Sequence, residues 1–570
     1  MKKYFSIVEW LTNYQKKWFR ADLFAGLTIG VMLIPQGMAY AMLAGLPPIY
    51  GLYASTIPLF VYAIFGTSRQ LAVGPVAMVA LLIASGVGQF AEVGSAEFIN
   101  LAILLALMVG VIQLGMGLFR FGFMVNFLSH PVIAGFTSAA ALIIGFSQLK
   151  HLLGIPLAGS KVHQILLEVL QQFHHIHLPT FLLGGIGILI LIFIKSLKKQ
   201  IPGPLILVVF GIISVYFFQL TTLGVKVVGE IPSGFSQFGF PNFNLDSIQL
   251  LLPTALTISF IGFVESIAVA KAIQKKHKDY EIDNNQELIG LGLANIVGSF
   301  FNSFPVTGGF SRTAVNDQAG AKTGLAAIIS ALLVMITILY LTTYFYYLPT
   351  AILSAIIMVA VFGLIDIDEA KHLWRTDKRD FTLFILTALG TLLLGVEEGI
   401  LLGAILSVGL VVYNVSYPHF AVLGRSKDGR IFRNINRFTE VEELEKTLII
   451  RFDAPLYFAN VNHFKDFVWS NINQRVSLQY FILDARAINN LDSTAIHTLH
   501  DLIIELRQGS IEFFIVNVKG PVRDKLHKGQ LISLVGKQQI LNNLEEVIAL
   551  IEDAKEPIKE NRAFAIQANI

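Results

Sequence analysis

From Asp22 to about Tyr413 the chain is a succession of apolar runs separated by short polar gaps, each run near the ~20 residues that cross a hydrocarbon core. Reading the gaps and turn residues predicts fourteen membrane segments, with starts near 22, 48, 74, 98, 130, 179, 203, 250, 287, 306, 323, 348, 381 and 398. After Pro418 the pattern changes: charged residues become frequent and apolar runs shorten to strand length. Three regions are therefore expected: a cytoplasmic N-terminus (1–21), a transmembrane domain (22–417) and a soluble domain with its tail (418–570).

Composition agrees. At 54% hydrophobic and 14% charged over 570 residues, the chain is too apolar to be one soluble domain. A formal charge of +3, spread between helices, gives no basic stripe for nucleic acid. The absence of cysteine excludes disulfides and thiolate metal sites. The start, MKKYFSIVEWLTNYQKKWFRADLFAG, lacks a small-residue cleavage site and is read as a mature cytoplasmic N-terminus. With that end inside, nineteen loop lysines and arginines fall inside, among them Lys2, Lys3, Lys16, Arg69, Lys195, Lys198, Lys199, Lys275, Lys278 and Lys322, whereas only Lys150, Lys161 and Lys226 fall outside. This asymmetry supports an even number of crossings and both termini in the cytoplasm, with the inner (plasma) membrane as the expected location.

The chain also repeats itself. AGLTIGVMLIPQGMAYAM (25–42) aligns with TALTISFIGFVESIAVAK (254–271) at an offset of 229, placing Gln36 on Glu265; LAVGPVAMV (71–79) aligns with FNSFPVTGG (301–309) at 230, placing Pro75-Val76 on Pro305-Val306. Segments 1 and 3 thus resemble segments 8 and 10. Seven segments separate the copies, an odd number, so the second (about 250–417) enters the membrane from the opposite side to the first (about 22–220). Inverted repeats with Pro/Gly-interrupted segments at matching positions mark the substrate site of secondary transporters.

Each proline suits the first turn of a helix and pushes the residue before it into an extended form. Segments 3 and 10 then become half-helices whose N-termini, at about Val76 to Met78 and Gly308 to Arg312, face each other. Each tip offers free backbone N–H groups and roughly half a positive charge. Arg312 adds a full charge. The expected guest is an anion, contacted at Val76, Ala77, Gly309, Phe310, Ser311 and Arg312, with Gln36 and Tyr40 on the facing helix. Simple proline kinks and ordinary helix packing are the alternatives.

Glu265 lies in mid-segment, where an ionised carboxylate costs about 2.5–3.5 kcal/mol on insertion scales. It is either a fixed counter-ion for Arg312 or a proton carrier coupled to anion binding, and the second reading is preferred.

The segments ADLFAGLTIGVMLIPQGMAYAMLAGLPPIYGLYAS, GTSRQLAVGPVAMVAL and FPVTGGFSRTAVNDQAGAKT resemble the signatures of the sulfate permease family of anion transporters, to which prestin also belongs. The resemblance implies a mostly α membrane fold of two inverted sevens, divided into core and gate domains. It places the anion between segments 3 and 10 and moves it by elevator-type alternating access. A glutamate at position 265 is similar to the proton-coupled members rather than to the sodium-coupled bicarbonate pattern. FILDARAINNLDSTAIHTL (481–499) resembles the STAS domain hallmark, implying a cytoplasmic α/β domain that assists a homodimer. Strand-like LIIRFDAPLYF, YFILDAR and IEFFIVNV alternate there with helical STAIHTLHDLIIELRQ and LEEVIALIEDA. Ser493 matches a position phosphorylated in bacterial signalling relatives, yet Asp492 or Ser493 serves equally as a helix cap.

Other signals lead nowhere. HHIH (174–177) lacks acidic partners for a metal, GLGLAN (290–295) lacks a βαβ setting, and no phosphate-binding GxxxxGK[ST] occurs. No enzymatic activity, cofactor or metal is expected. The sequence is read as a proton-coupled sulfate symporter. Bicarbonate or C4-dicarboxylate symport and chloride-linked exchange are alternatives, and an anion channel, voltage motor or sensor is the competing class.

Overall fold

The computed structural model describes residues 5–123, 129–157, 159, 162–197, 203–242, 244–274, 276–277, 280–427 and 431–553. Lys2, Lys3, Lys161, Lys198, Lys199, Lys275 and Lys278, used above for orientation, lie outside the described residues. The chain divides into two compact units, Met1–Ser407 and Val408–Ile570. That division falls within helix Val396–Ser416, whereas the expected boundary at Pro418 follows the end of that helix.

In the first unit each of the fourteen expected starts lies in a helix or within four residues of one, those near 74 and 306 falling on the extended chain just before it. Among the described residues seven helices are long and apolar enough to cross a membrane: Trp18–Leu43, Pro48–Phe65, Ala96–Leu118, His130–Leu153, Leu245–Gln274, Leu325–Phe345 and Thr350–Thr376, which serve as segments 1, 2, 4, 5, 8, 11 and 12. Segments 3 (Ala77–Val87), 6 (Leu178–Leu197), 7 (Gly203–Phe217), 9 (Asn284–Ser299), 10 (Phe310–Gln318), 13 (Lys378–Leu393) and 14 (Val396–Ser416) are shorter or less apolar. Segment 10 is the extreme case, and it is short because the chain before it is extended.

Small residues let these helices approach. A Cβ on Gly26 would lie 2.7 Å from the Ala326 carbonyl oxygen, and one on Gly30 would lie 2.9 Å from Leu333, so the GxxxG face of segment 1 is the surface against which segment 11 packs. Two buried carboxylates then fix the loops beside the short segments. Asp22 accepts from the Lys322 and Thr323 N–H groups (2.6 and 3.0 Å) and the Thr323 hydroxyl (2.7 Å). Glu287 accepts from the Tyr62 hydroxyl (2.7 Å), from Thr67 N and Oγ1 (both 2.6 Å) and from Ser68 N (3.0 Å). Fully hydrogen-bonded burial is the condition under which such charges are tolerated.

The second unit is an α/β sandwich built on a mixed sheet. Strands Thr447–Phe452, Tyr480–Asp484, Glu512–Val516 and Ile540–Leu541 run parallel, and Phe420–Ser426 pairs antiparallel to the first of them. Helices Ser493–Gln508 and Leu544–Asp553 match the two expected ones. The structure decides the cap: Asp492 Oδ1 accepts from Ala495 N at 2.8 Å, leaving Ser493 exposed in the first turn.

Candidate functional site

The two Pro-Val dipeptides enter the site along extended chain. Val73–Gly74 pairs antiparallel with Thr307–Gly308, Val73 opposite Gly308 and Gly74 opposite Thr307. Continued by two residues, this register sets Pro75 against Val306 and Val76 against Pro305, the dipeptides that the 230-residue offset matches. The sequence repeat is thus a two-fold relation in space. Gly309 N extends the ladder to Ala72 O (3.0 Å), and Gly308 N bonds Ser266 Oγ (2.9 Å).

Segment 3 begins at Ala77 after an extended Val76 (φ −132°, ψ 151°), and segment 10 begins at Phe310 after an extended Gly309 (φ −92°, ψ 126°). Neither tip is capped by a side chain, so the first backbone donors and the positive dipole ends are free for another acceptor. One expectation needs correcting: neither proline occupies a first helical turn. The helices start two residues after Pro75 and five after Pro305, because the intervening residues belong to the extended pair and its bonds to segment 8. Pro75 instead lends its carbonyl to Arg312 Nη1 at 2.7 Å, so the arginine of one repeat is held by the proline of the other.

A cavity of about 540 Å3 opens at these tips. Gln36, Tyr40, Val76, Ala77, Glu265, Gly309, Phe310, Ser311 and Arg312 all line it, so every residue expected around the anion meets in one place. Phe310 is 56% exposed and Arg312 only 2%, which puts the aromatic ring in the cavity and the guanidinium in its wall. Arg312 Nε and Nη2, Gln36 Oε1 and Glu265 Oε2 are buried without a hydrogen-bond partner. Such orphaned polar atoms are rare in a settled interior and call for an explanation.

The alternative in which Glu265 is a fixed counter-ion for Arg312 finds no direct pair among the described residues: Arg312 spends its one hydrogen bond on Pro75, and the carboxyl oxygen Oε2 has none. Arg312 and Glu265 line one cavity without a direct ion pair. An acceptor at the tips would meet the arginine's free donors and lie in the same cavity as the Glu265 carboxyl.

Sequence reasoning missed the opposite wall. Leu191 and Ile194 of segment 6, Gly203 and Pro204 of segment 7, and Ile356, Val359 and Leu364 in and after segment 12 line the same cavity. Nothing in an apolar residue's identity separates cavity wall from lipid contact. Thr28 and Gln318 were also missed; each lies on a helix already implicated, at helical spacing from Met32 and Val315. His174 and His175 are exposed, and no metal-holding cluster occurs among the described residues.

Residues 19–387 match the sulfate permease family and residues 439–547 the STAS domain. The chain is 40% identical over 564 residues to Sulfate transporter 4.1, chloroplastic, of Arabidopsis thaliana, covering 95% of this chain and 82% of that one. It is 33% identical over 568 residues to High affinity sulfate transporter 2 of Stylosanthes hamata, covering 96% and 86%. Among solved structures it is similar to the murine Slc26a9 anion transporter in the inward-facing state, with a TM-score of 0.89 and 27% identity over 96% of this chain and 94% of that one. The transmembrane domain of the cyanobacterial bicarbonate transporter BicA shares the fold, with a TM-score of 0.59 at 23% identity over 69% and 98%.

Proposed function

Because this chain belongs to the sulfate permease family and carries a STAS domain, we propose that it is a proton-coupled sulfate symporter working by elevator-type alternating access. Anion transport across a membrane that the chain crosses many times is the family's common activity; the anion, the coupling ion and the movement are the proposal. The observation that carries it is Arg312, buried to 2% exposure with two nitrogens unpartnered, beside two uncapped helix tips. Backbone N–H groups and a fork of guanidinium donors suit a compact oxyanion. Sulfate is favoured by the relatives named above.

Glu265, without an ion pair and in the same cavity, supports proton coupling. Its protonation would remove the repulsion that a bound anion otherwise meets. The elevator reading is supported by the lopsided wall: Thr28, Gln36, Tyr40, Glu265, Ser311, Arg312 and Gln318 all come from segments 1, 8 and 10, whereas the wall from segments 6, 7 and 12 is apolar. An anion held on one side only can be carried past the other without exchanging hydrogen bonds. Cytoplasmic termini, the inner (plasma) membrane and a homodimer complete the reading, the orientation resting on the lysine and arginine asymmetry.

The test is accumulation of radiolabelled sulfate in proteoliposomes under an imposed inward proton gradient. Wild type should concentrate sulfate, and Glu265→Gln should lose that accumulation while keeping sulfate–sulfate exchange. Undiminished uphill uptake by the Gln variant, or uptake driven by sodium alone, overturns the coupling assignment. Downhill flux with no concentration by wild type would mark a channel instead.

A further inference from the structure

A second, separate cavity lies at the end of the bundle that the loop-charge asymmetry assigns to the outside. The last turn of segment 5, the start of segment 6, the loop after segment 7 and the first residue of segment 12 enclose about 160 Å3, room for roughly five waters at ~30 Å3 each. Lys150, His151, His177, Thr180, Lys226 and Thr350 supply its polar lining, and none of its lining residues is acidic. It shares no lining residue with the cavity at the helix tips. Neither lysine ammonium nor the His151 ring has a hydrogen-bond or ion-pair partner among the described residues.

The walls are built rather than incidental. His177 Nε2 donates to the Leu223 carbonyl (2.7 Å), and Nδ1 meets the hydroxyl of buried Thr180 (2.7 Å). A carbonyl can only accept, so the first bond fixes the hydrogen on Nε2. Gly154 (φ +68°) and Gly224 (φ +90°) let two loops close on this ring: a Cβ at Gly154 would lie 2.8 Å from His177 Cβ, and one at Gly224 would lie 3.3 Å from Nε2. Lys226 is fixed through its carbonyl, which accepts from Thr350 N (3.1 Å) and Oγ1 (3.3 Å). Lys150 projects from the one-turn helix Leu149–Leu153. The last histidine of HHIH is therefore a structural brace.

We propose that this cavity is a second anion site, which binds a small dissolved oxyanion such as sulfate between the Lys150 and Lys226 ammonium groups. Lys150, Lys226 and His151 line one small space with no carboxylate, a lining that favours an anion, and a cavity of this size admits an oxyanion but no acyl chain. The site belongs to segments 5, 6, 7 and 12, the last three of which also supply the apolar wall of the transport cavity, and an anion held there does not occupy the helix tips. The lysine-dependent site does not depend on the identity or coupling of the transported ion; only the expected total of two sulfates rests on sulfate as the transported anion.

Equilibrium binding of radiolabelled sulfate to the full-length protein in detergent tests it. Wild type should bind two sulfates per chain at saturation. Lys150→Gln/Lys226→Gln should keep one and weaken the other by at least roughly tenfold, the scale expected when two charges about 4 Å from a dianion are removed in water. Arg312→Gln should lose the complementary sulfate, and Lys150→Arg/Lys226→Arg should restore two. Both lysines are exposed, so thermal unfolding of the double variant should match wild type. Wild-type stoichiometry and affinity in the folded lysine double variant overturn the site, whatever becomes of the Arg312 variant. Binding is then repeated in nanodiscs of phosphatidylcholine with and without phosphatidylglycerol. Unchanged stoichiometry supports a dissolved anion, and loss of the lysine-dependent sulfate with phosphatidylglycerol overturns it in favour of a lipid headgroup.

Discussion

A single methyl group on Gly309 reaches the buried arginine without touching the backbone. Gly309 is extended at φ −92°, ψ 126°, a region open to alanine, so Gly309→Ala carries no conformational penalty of its own. Its Cβ would lie 2.8 Å from Arg312 Nη2, 2.9 Å from Cζ and 3.3 Å from Nε, inside the ~3.5–4.0 Å of comfortable contact. The guanidinium must move. Nη2 already lies 3.4 Å from the point a Cβ on Gly74 would occupy, so the two strands hold it closely and the displacement strains the 2.7 Å bond from Nη1 to Pro75 O. A hydrogen bond to a charged group contributes about 1.5–3 kcal/mol. If the anion depends on this orientation, sulfate affinity should fall roughly tenfold to a hundredfold. The assay is the KM for sulfate uptake in proteoliposomes at a fixed proton gradient, with thermal unfolding verifying that the variant is folded. A folded Gly309→Ala protein whose KM stays within about twofold of wild type would refute the claim that Arg312 must be held in this pose.

Two further predictions concern the soluble unit. Asp492→Ala removes the bonds to Ala495 N and Phe458 N, both 2.8 Å, and should cost about 1–2 kcal/mol, lowering the unfolding midpoint of this unit by several degrees, whereas Ser493→Ala should leave it unchanged; equal losses would mean that the hydroxyl is the cap. Burial pushes the Asp453 carboxyl up, but hydrogen bonds from Arg451 and His419 outweigh it and hold it below its ordinary value. A depressed folded-state pKa stabilises above the unfolded value of about 3.9 and is lost as pH falls through the folded one. Asp453→Asn should therefore lower the unfolding midpoint near neutral pH, and its gap to wild type should close as pH drops below about 4; a gap that widens in acid would sink this.

The repeat was legible because it lies in residue identities. Pro75-Val76 and Pro305-Val306 mark the same irregular backbone twice, and the structure sets them opposite each other in one ladder. What the prolines do there was not legible. A first-turn proline and one entering extended chain have the same local preference, and only the bonds of Thr307 and Gly308 to segment 8 choose between them. The alternative of a Glu265–Arg312 pair was not decidable for a related reason. Proximity on neighbouring helices sets which charges can meet, but the Pro75 carbonyl competes for the guanidinium and is invisible in a side-chain pattern. In the soluble unit the strand Phe420–Ser426 was missed, since FAVLGRS follows the apolar helix with little punctuation and its pairing is antiparallel and non-local. The apolar cavity wall left no trace at all.

Many of the hydrogen bonds that position the site run between repeats. Asp22 of the first holds Lys322 and Thr323 of the second; Glu287 of the second holds Tyr62, Thr67 and Ser68 of the first. Asn316 donates to Gln70 O at 2.9 Å, Arg312 to Pro75 O, Gly309 to Ala72 O and Gln113 to Ser259 O at 3.2 Å. Buried bonds of this kind cost their full desolvation when broken, so segments 1, 2, 3, 4, 8, 9, 10 and 11 are cross-linked to one another. Across the cavity, Leu191, Ile194, Ile356 and Val359 offer only non-directional contact, which changes little as one surface slides over another. The part that bears the charge is thus cross-linked by directional bonds, and the part it faces is not. On the elevator reading we propose, the bonded side is the carrier and the apolar wall its track, and replacing Ile356 or Val359 with a hydrogen-bonding side chain should tie the two together and slow transport.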